Sequence, residues 1–257
     1  MFNIANIQSA LKSFRGANPF DYCVVDGFFD EQTARELSEE FPAYESEEWF
    51  FYDNSIEHKK ALNSWEKFPK ITYQVFTALQ SDVITNMLAD ALGEKIYVDH
   101  GLNGGGWHIH GTGGNLNPHL DYSIHPKMGL ERVLNIIVYL STELKPEHGG
   151  HLGLWAHDEE RGAPGELVKE VEPSFNRAII FNTTQNSWHG MSRKLEVPKG
   201  IYRKSLAIYY MRDPAEVAVQ RGRALFAPRE EQKGDEAVLA TIRLRSNVAT
   251  SANVYRG

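Results

Sequence analysis

Apolar positions in the first third of the chain recur at helical spacing. Asp30 stands where an N-cap belongs, and Ala34, Leu37 and Phe41 follow it three or four residues apart. A loop with the aromatic cluster Trp49-Phe50-Phe51-Tyr52 comes next. A second helical stretch runs through Val75 and Leu79, and a third carries Val83, Met87, Leu88 and Leu92, with Gly93 placed to end it. Near residue 95 the period changes. Short β-rich runs (KIYV, WHIHG, RVLNIIVYL, HLGLW, RAIIFN and IYRKSLAIYYM) alternate with glycine, proline and asparagine turns. Such runs predict a sandwich or barrel. Helices first and strands afterwards predict an α+β fold with the N-terminal helices packed on one side of a β core. No stretch reads as a flexible linker and no repeat is visible, so the 257 residues are expected to form a single domain. Beyond Pro214 the tail is charged, with a helical pattern between Glu230 and Arg245.

Composition narrows the class. A hydrophobic content of 42% supports a sizeable core, and 24% charged residues is a globular profile. The net charge of -7 and the lack of a basic stripe argue against a nucleic-acid partner. The longest basic cluster, His58-Lys59-Lys60, reads as the solvated face of a helix. The one cysteine, Cys23, lies in the apolar run YCVV and reads as a small buried hydrophobe, not a catalytic thiol. The opening residues MFNIANIQSALKSFRG lack the apolar stretch of a signal peptide. No run approaches the roughly 18 apolar residues of a membrane span. A soluble cytoplasmic protein with no membrane partner is expected.

The chemistry concentrates in PHLDYS. His119 and Asp121 are two residues apart, so an extended backbone turns both to the same side, where an imidazole and a carboxylate can reach one metal ion. His-x-Asp alone is a weak signal, because a hydrogen-bonded surface pair has the same spacing. A third ligand from a later strand strengthens it, and His189, in the turn NSWHG just past RAIIFN, fits. Two histidines and one carboxylate on one face of an octahedron leave three positions open, the arrangement of non-haem Fe(II) oxygenases. Alternation in IYRKSLAIYYM puts Arg203, Ser205, Ala207 and Tyr209 on one face. A guanidinium inside a barrel requires a carboxylate partner, which a bidentate acidic ligand would supply.

The ordered set NPHLDYSIHP, RVLNIIVYL, EHGGHLGLW, PSFNRAIIFNTTQNSWHG and YRKSLAIYY, over roughly residues 100 to 211, resembles the Fe(II)/2-oxoglutarate-dependent dioxygenases, particularly the prolyl-4-hydroxylase-like branch. The resemblance implies a double-stranded β-helix, or jelly-roll, at about residues 95–214. The helical part then spans about 1–94 and a C-terminal extension 215–257. It implies an iron triad of His119, Asp121 and His189. It implies that Arg203 and Ser205 hold the distal carboxylate of 2-oxoglutarate, with Tyr139 bonded to the same carboxylate and Asn135 and Ile137 lining that pocket. Collagen-type members carry lysine where Arg203 stands. Lys204 is adjacent, but alternation turns it away. The implied cofactors are Fe(II), 2-oxoglutarate and dioxygen. The implied reaction hydroxylates an aliphatic C–H of a peptide or small-molecule substrate and releases succinate and CO2. Related halogenases lack the carboxylate, so Asp121 favours hydroxylation.

Other features read more plainly. His108 and His110 share a face but lack a third ligand once His189 is assigned, so they read as polar core or pocket wall. His125, His148, His151 and His157 lie in turns, with His125 the nearest to a substrate contact. The glycines at 104–106 and 113–114 are not followed by Gly-Lys-Ser/Thr and read as tight turns. Trp107, Tyr122, Trp155 and Trp188 read as core first and substrate wall second. The aromatic loop 49–52 reads equally as a lid or as helix packing. Two rival functions stay open: a zinc-type metallohydrolase and a non-catalytic jelly-roll binding module.

Overall fold

The computed structural model describes residues 1–183, 186–216, 218 and 220–255. Thr184 and Gln185, within the motif preceding His189, lie outside the described residues, as do positions 217, 219, 256 and 257 of the C-terminal extension.

The α-helices are α1 (Ile4–Leu11), α2 (Glu31–Glu39), α3 (Lys70–Leu79), α4 (Asp82–Leu92) and α5 (Glu236–Ser246). The early strands are β1 (Tyr22–Asp26), β2 (Phe50–Asp53), β3 (Glu57–Leu62), β4 (Tyr97–Val98), β5 (Gly106–His110), β6 (Asn115–Leu116) and β7 (His119–Leu120). The later ones are β8 (Glu131–Tyr139), β9 (Leu152–Asp158), β10 (Ala163–Val171), β11 (Arg177–Asn182), β12 (His189–Met191), β13 (Arg203–Arg212) and β14 (Leu225–Phe226). A nine-stranded sheet runs β1-β11-β8-β13-β5-β3-β2, with β4 on β13 and β6 on β3. A five-stranded sheet runs β10-β9-β12-β7-β14. These two antiparallel, curled sheets form the double-stranded β-helix that the sequence resemblance implies.

Local chemistry sets the helices. The Asp30 side chain caps α2 by accepting from the Thr33 amide at 2.9 Å. Gly93 ends α4 in the left-handed region at φ 67°. In α4 it is Ile84, Leu88 and Leu92 that are buried, whereas Val83 is exposed, so the apolar stripe starts one residue later than the sequence reading has it. Leu37, Val75, Leu79 and Leu88 share one core cluster with Ile136 and Val138 of β8 and Leu206, Ile208 and Tyr210 of β13. The helices therefore cover one face of the large sheet, as expected. Each fully buried aliphatic or aromatic side chain contributes about 1.5–3 kcal/mol to that packing. Lys204 turns to the same side, where its ammonium donates to Ser38 O at 2.8 Å. The opposite face, carrying Arg203 and Ser205, is left for chemistry.

Two expectations change. The aromatic cluster 49–52 is not a loop: residues 50–53 are β2, paired with β3 at the sheet edge. His58-Lys59-Lys60 lies in β3, not on a helix. The tail does form a helix, α5, capped by Asp235. It packs through Val238 and Ile242 against Ile56 and Phe226.

Candidate active site

Between the sheets lies a cavity of about 390 Å³, the size of a small-molecule site. Its walls are alternate residues of several strands: Lys59 and Ala61 of β3, His108 and His110 of β5, Asn135 and Ile137 of β8, and Arg203, Ser205 and Ala207 of β13. The small sheet closes it with His119, Asp121 and His189. His119 on β7 pairs directly with His189 on β12, and Asp121 follows the end of β7.

The three side chains converge. His119 Nε2 is 3.9 Å from Asp121 Oδ1, His189 Nε2 is 3.7 Å from Asp121 Oδ2, and one donor atom from each residue lies within 4.8 Å of the others. Each imidazole bonds through Nδ1 to the carbonyl two residues before it, His119 to Asn117 O at 2.9 Å and His189 to Ser187 O at 2.8 Å. With Nδ1 as the donor, the Nε2 lone pair is directed to the shared centre. Burial pushes the His119 imidazolium down to about 3, helped by His189, and burial likewise lowers His189. Both rings are thus neutral at pH 7, the form that can bind a metal. Burial opposes the Asp121 carboxylate, but the surrounding cations, Arg132 first, outweigh it and hold its pKa below the usual value. Asp121 Oδ2 is buried with no hydrogen-bond partner. Two neutral imidazoles, a carboxylate and an unsatisfied buried oxygen form a donor set that fits one divalent transition metal.

Arg203 is 5% exposed. Its Nε donates to Gly150 O at 2.7 Å, and its guanidinium carbon sits 4.8 Å over the Tyr139 ring. Among the described residues no carboxylate lies within ion-pairing distance of it. Burial lowers its pKa, the mark of a charge held away from water. Buried polar atoms without partners gather nearby: both ring nitrogens of His110, the Tyr139 hydroxyl and Asn135 Oδ1. His110 is opposite Arg203 across the β5–β13 ladder. Tyr139 is beside Arg203 but is not part of the cavity wall itself.

Residues that the sequence did not reveal complete the site. Arg132 is sandwiched between Tyr122 and Tyr209, 3.5 and 3.4 Å from their ring centres. Its Nη1 is 3.3 Å from Asp121 Oδ1, and its Nη2 donates to Asn103 O at 2.7 Å. Strict alternation would turn it from the Asn135 face. A register shift opposite Tyr210 and Met211 reverses that. Arg221 donates to the Asp121 carbonyl at 2.6 and 2.9 Å. The extension also braces His119. Asn117 is fully buried, and its amide donates to Ala227 O and Gln232 Oε1, while Phe226 stacks on the His119 ring.

The remaining sequence candidates are less central. His108 and His110 are cavity wall, and burial drives His108 down to about 3. His125 is buried beside Asp99 and accepts from the amides of Lys127 and Met128, so it closes a turn and is absent from the cavity wall. Trp107 is core, stacked on Phe41, and Trp188 bonds to His157. Cys23 is buried, and burial pushes its thiol up to about 12.

Curled sheets around a buried polar cavity define a double-stranded β-helix. Residues 105–211 match the 2OG-Fe(II) oxygenase superfamily. The structure is similar to a Pseudomonas putida prolyl-4-hydroxylase, at 17% identity and a TM-score of 0.57, over 81% of this chain and 100% of that one. It is similar to a Trichoplax adhaerens prolyl hydroxylase in complex with a hypoxia inducible factor peptide fragment, at 15% identity and a TM-score of 0.56, over 81% and 91%. It is similar to HygX from Streptomyces hygroscopicus with nickel, 2-oxoglutarate and hygromycin B bound, at 14% identity and a TM-score of 0.50, over 83% and 90%. No curated protein sequence matches the chain. The family match covers 107 of the 257 residues, and the solved structures share the fold. Among the described residues no helix is long and apolar enough to cross a membrane.

Proposed function

We propose that the protein is a 2OG-Fe(II) oxygenase that uses Fe(II), 2-oxoglutarate and dioxygen, that His119, Asp121 and His189 hold the Fe(II), and that Arg203 anchors 2-oxoglutarate with Ser205, Tyr139 and Asn135 around it. The observation that carries the reading is a pairing of opposites in one cavity. Three converging donors include an unsatisfied carboxylate oxygen, and among the described residues the buried guanidinium has no carboxylate of its own. A zinc hydrolase has no use for that guanidinium.

Each residue has a definable task. His119 and His189 present fixed Nε2 lone pairs because their Nδ1 protons are donated to backbone carbonyls. Arg132 and Arg221 hold Asp121 from its carboxylate and its carbonyl. Arg203, tied through Nε to Gly150, offers its remaining N–H groups to a carboxylate. Ile137, Leu152 and Met191 exclude water from the same cavity. Iron and 2-oxoglutarate, when bound, would activate dioxygen, one oxygen atom going to an aliphatic C–H to give C–OH and the other to succinate, with CO2 released.

The substrate is read as a peptide or a small molecule, supported by neighbours solved with a peptide fragment and with hygromycin B. Residues 1–257 are read as one oxygenase domain, supported by the core cluster that helices and jelly-roll strands share. The location is read as cytoplasmic, where the lone thiol of Cys23 stays reduced. Succinate release from 2-oxoglutarate with Fe(II) in air tests the assignment. Wild type is expected to turn over and Asp121→Ala to lose at least 100-fold. Equal turnover in Asp121→Ala would overturn the triad.

A further inference from the structure

The cavity holds more positive charge than the proposed chemistry uses. Two carboxylates line it, and both are engaged. Glu57 Oε1 accepts from Arg245 Nε at 2.7 Å and from the Tyr255 hydroxyl, while Asp121 faces Arg132 and the two histidines. Five lysine or arginine side chains line the same space. Arg132 and Arg245 face those carboxylates, and Arg203 is assigned to the cosubstrate. Lys59 and Arg223 are left, and among the described residues neither lies within ion-pairing distance of a carboxylate. Filling the site does not remove the excess, because Fe(II) and doubly charged 2-oxoglutarate cancel. Overall composition does not explain it either, since the protein carries a net charge of -7.

The fold presents Lys59 specifically. Alternation along β3 puts Glu57, Lys59 and Ala61 on the cavity wall. Its two neighbours are committed elsewhere: His58 bonds to Asp53 at 2.8 Å, and Lys60 donates to Tyr44 O at 2.6 Å. Lys59 is half-buried as a residue, and its ammonium sits 5.0 Å from the Tyr52 ring centre. Its field reaches across the cavity, helping to depress His108 and to hold Asp121 ionised.

We infer that Lys59, seconded by Arg223, anchors an anionic group of the primary substrate, so that the enzyme oxidises an acid bearing a carboxylate or a phosphate. This rests on the oxygenase reading for where the oxidised carbon lies, between the Lys59 anchor and the triad. It adds the substrate class that this cavity selects.

The test uses protein loaded with Zn(II) and saturating 2-oxoglutarate, which occupies the Arg203 end and prevents turnover. Trifluoroacetate is titrated by fluorine NMR and inorganic phosphate by phosphorus NMR, into wild type, Lys59→Met and Arg223→Met. Saturable binding of one probe to wild type is expected, and which probe binds separates carboxylate from phosphate. Lys59→Met should weaken it about tenfold or more, the cost of a charged hydrogen bond, and Arg223→Met a few-fold. If Lys59→Met does not fold, the exposed Arg223→Met decides alone. No saturable binding of either probe, or wild-type affinity in the folded variants, overturns the inference. Titrating 2-oxoglutarate in the same samples keeps the two ideas apart. Failure to bind 2-oxoglutarate would remove the oxygenase reading, while probe binding that still depends on Lys59 would leave the anion site standing.

Discussion

Replacing Arg203 by methionine should affect the free protein and its complex in opposite ways. In the free protein the guanidinium is 5% exposed, is bonded through Nε to Gly150 O, and has no ion-pair partner among the described residues. Removing a buried charge without an ion-pair partner relieves a desolvation cost, while leaving Gly150 O unsatisfied costs about 1–3 kcal/mol. The two offset, so the melting temperature of the apoprotein should move by no more than about 4 °C, at about 2–4 °C per kcal/mol for a chain of this size. In the complex the same change strands the distal carboxylate of 2-oxoglutarate. Breaking a buried ion pair costs about 3–5 kcal/mol, or about 140- to 3,700-fold in affinity at about 1.4 kcal/mol per tenfold. Ser205 and Tyr139 stay in place as hydrogen-bond donors, so the lower end is expected, about 140-fold. Calorimetric titration of 2-oxoglutarate into Zn(II)-loaded protein, with thermal melts with and without ligand, reads both effects. An apoprotein destabilised by more than about 10 °C with unchanged 2-oxoglutarate affinity would refute the argument, because it would make Arg203 a structural residue.

Two further predictions concern the framework. A Cβ on Gly190 would lie 2.6 Å from Asn117 O, the carbonyl that orients His119. Gly190→Ala should therefore cost about 1–3 kcal/mol in stability and lower Zn(II) affinity at least tenfold, read by melting and by a competing chelator. Arg245→Met leaves Glu57, which is fully buried, without its cation. A loss of about 3–5 kcal/mol and faster proteolysis ahead of α5 are expected, and wild-type stability would show that the Glu57–Arg245 pair does not hold the extension.

The parts of the site legible in the sequence are those with a regular spacing. His119 and Asp121 share a side because the backbone is extended there, and strict alternation along β13 gives Arg203 and Ser205 one face and Lys204 the other. The apolar runs of β8, β11 and β13 are strong enough to read as strands directly. What stayed hidden has physical reasons. In β3 both faces carry polar residues, because one lines a polar cavity, so the period-two signal vanishes and Lys59 reads as solvated. Arg132 is concealed by the register shift in β8. The Glu57–Arg245 pair joins residues 188 apart in sequence, and Asn117 is held by Gln232 across 115. Charged side chains that bury themselves on distant partners look, in sequence, like ordinary surface.

The most direct test of the central claim is the visible spectrum of the apoprotein under strict anaerobic conditions, on adding Fe(II) and then 2-oxoglutarate. Wild type should develop a weak metal-to-ligand charge-transfer band that requires both additions, and His119→Ala should show none. A protein that binds Fe(II) yet gives no band with 2-oxoglutarate, or a band that survives in His119→Ala, would contradict the assignment of His119, Asp121, His189 and Arg203.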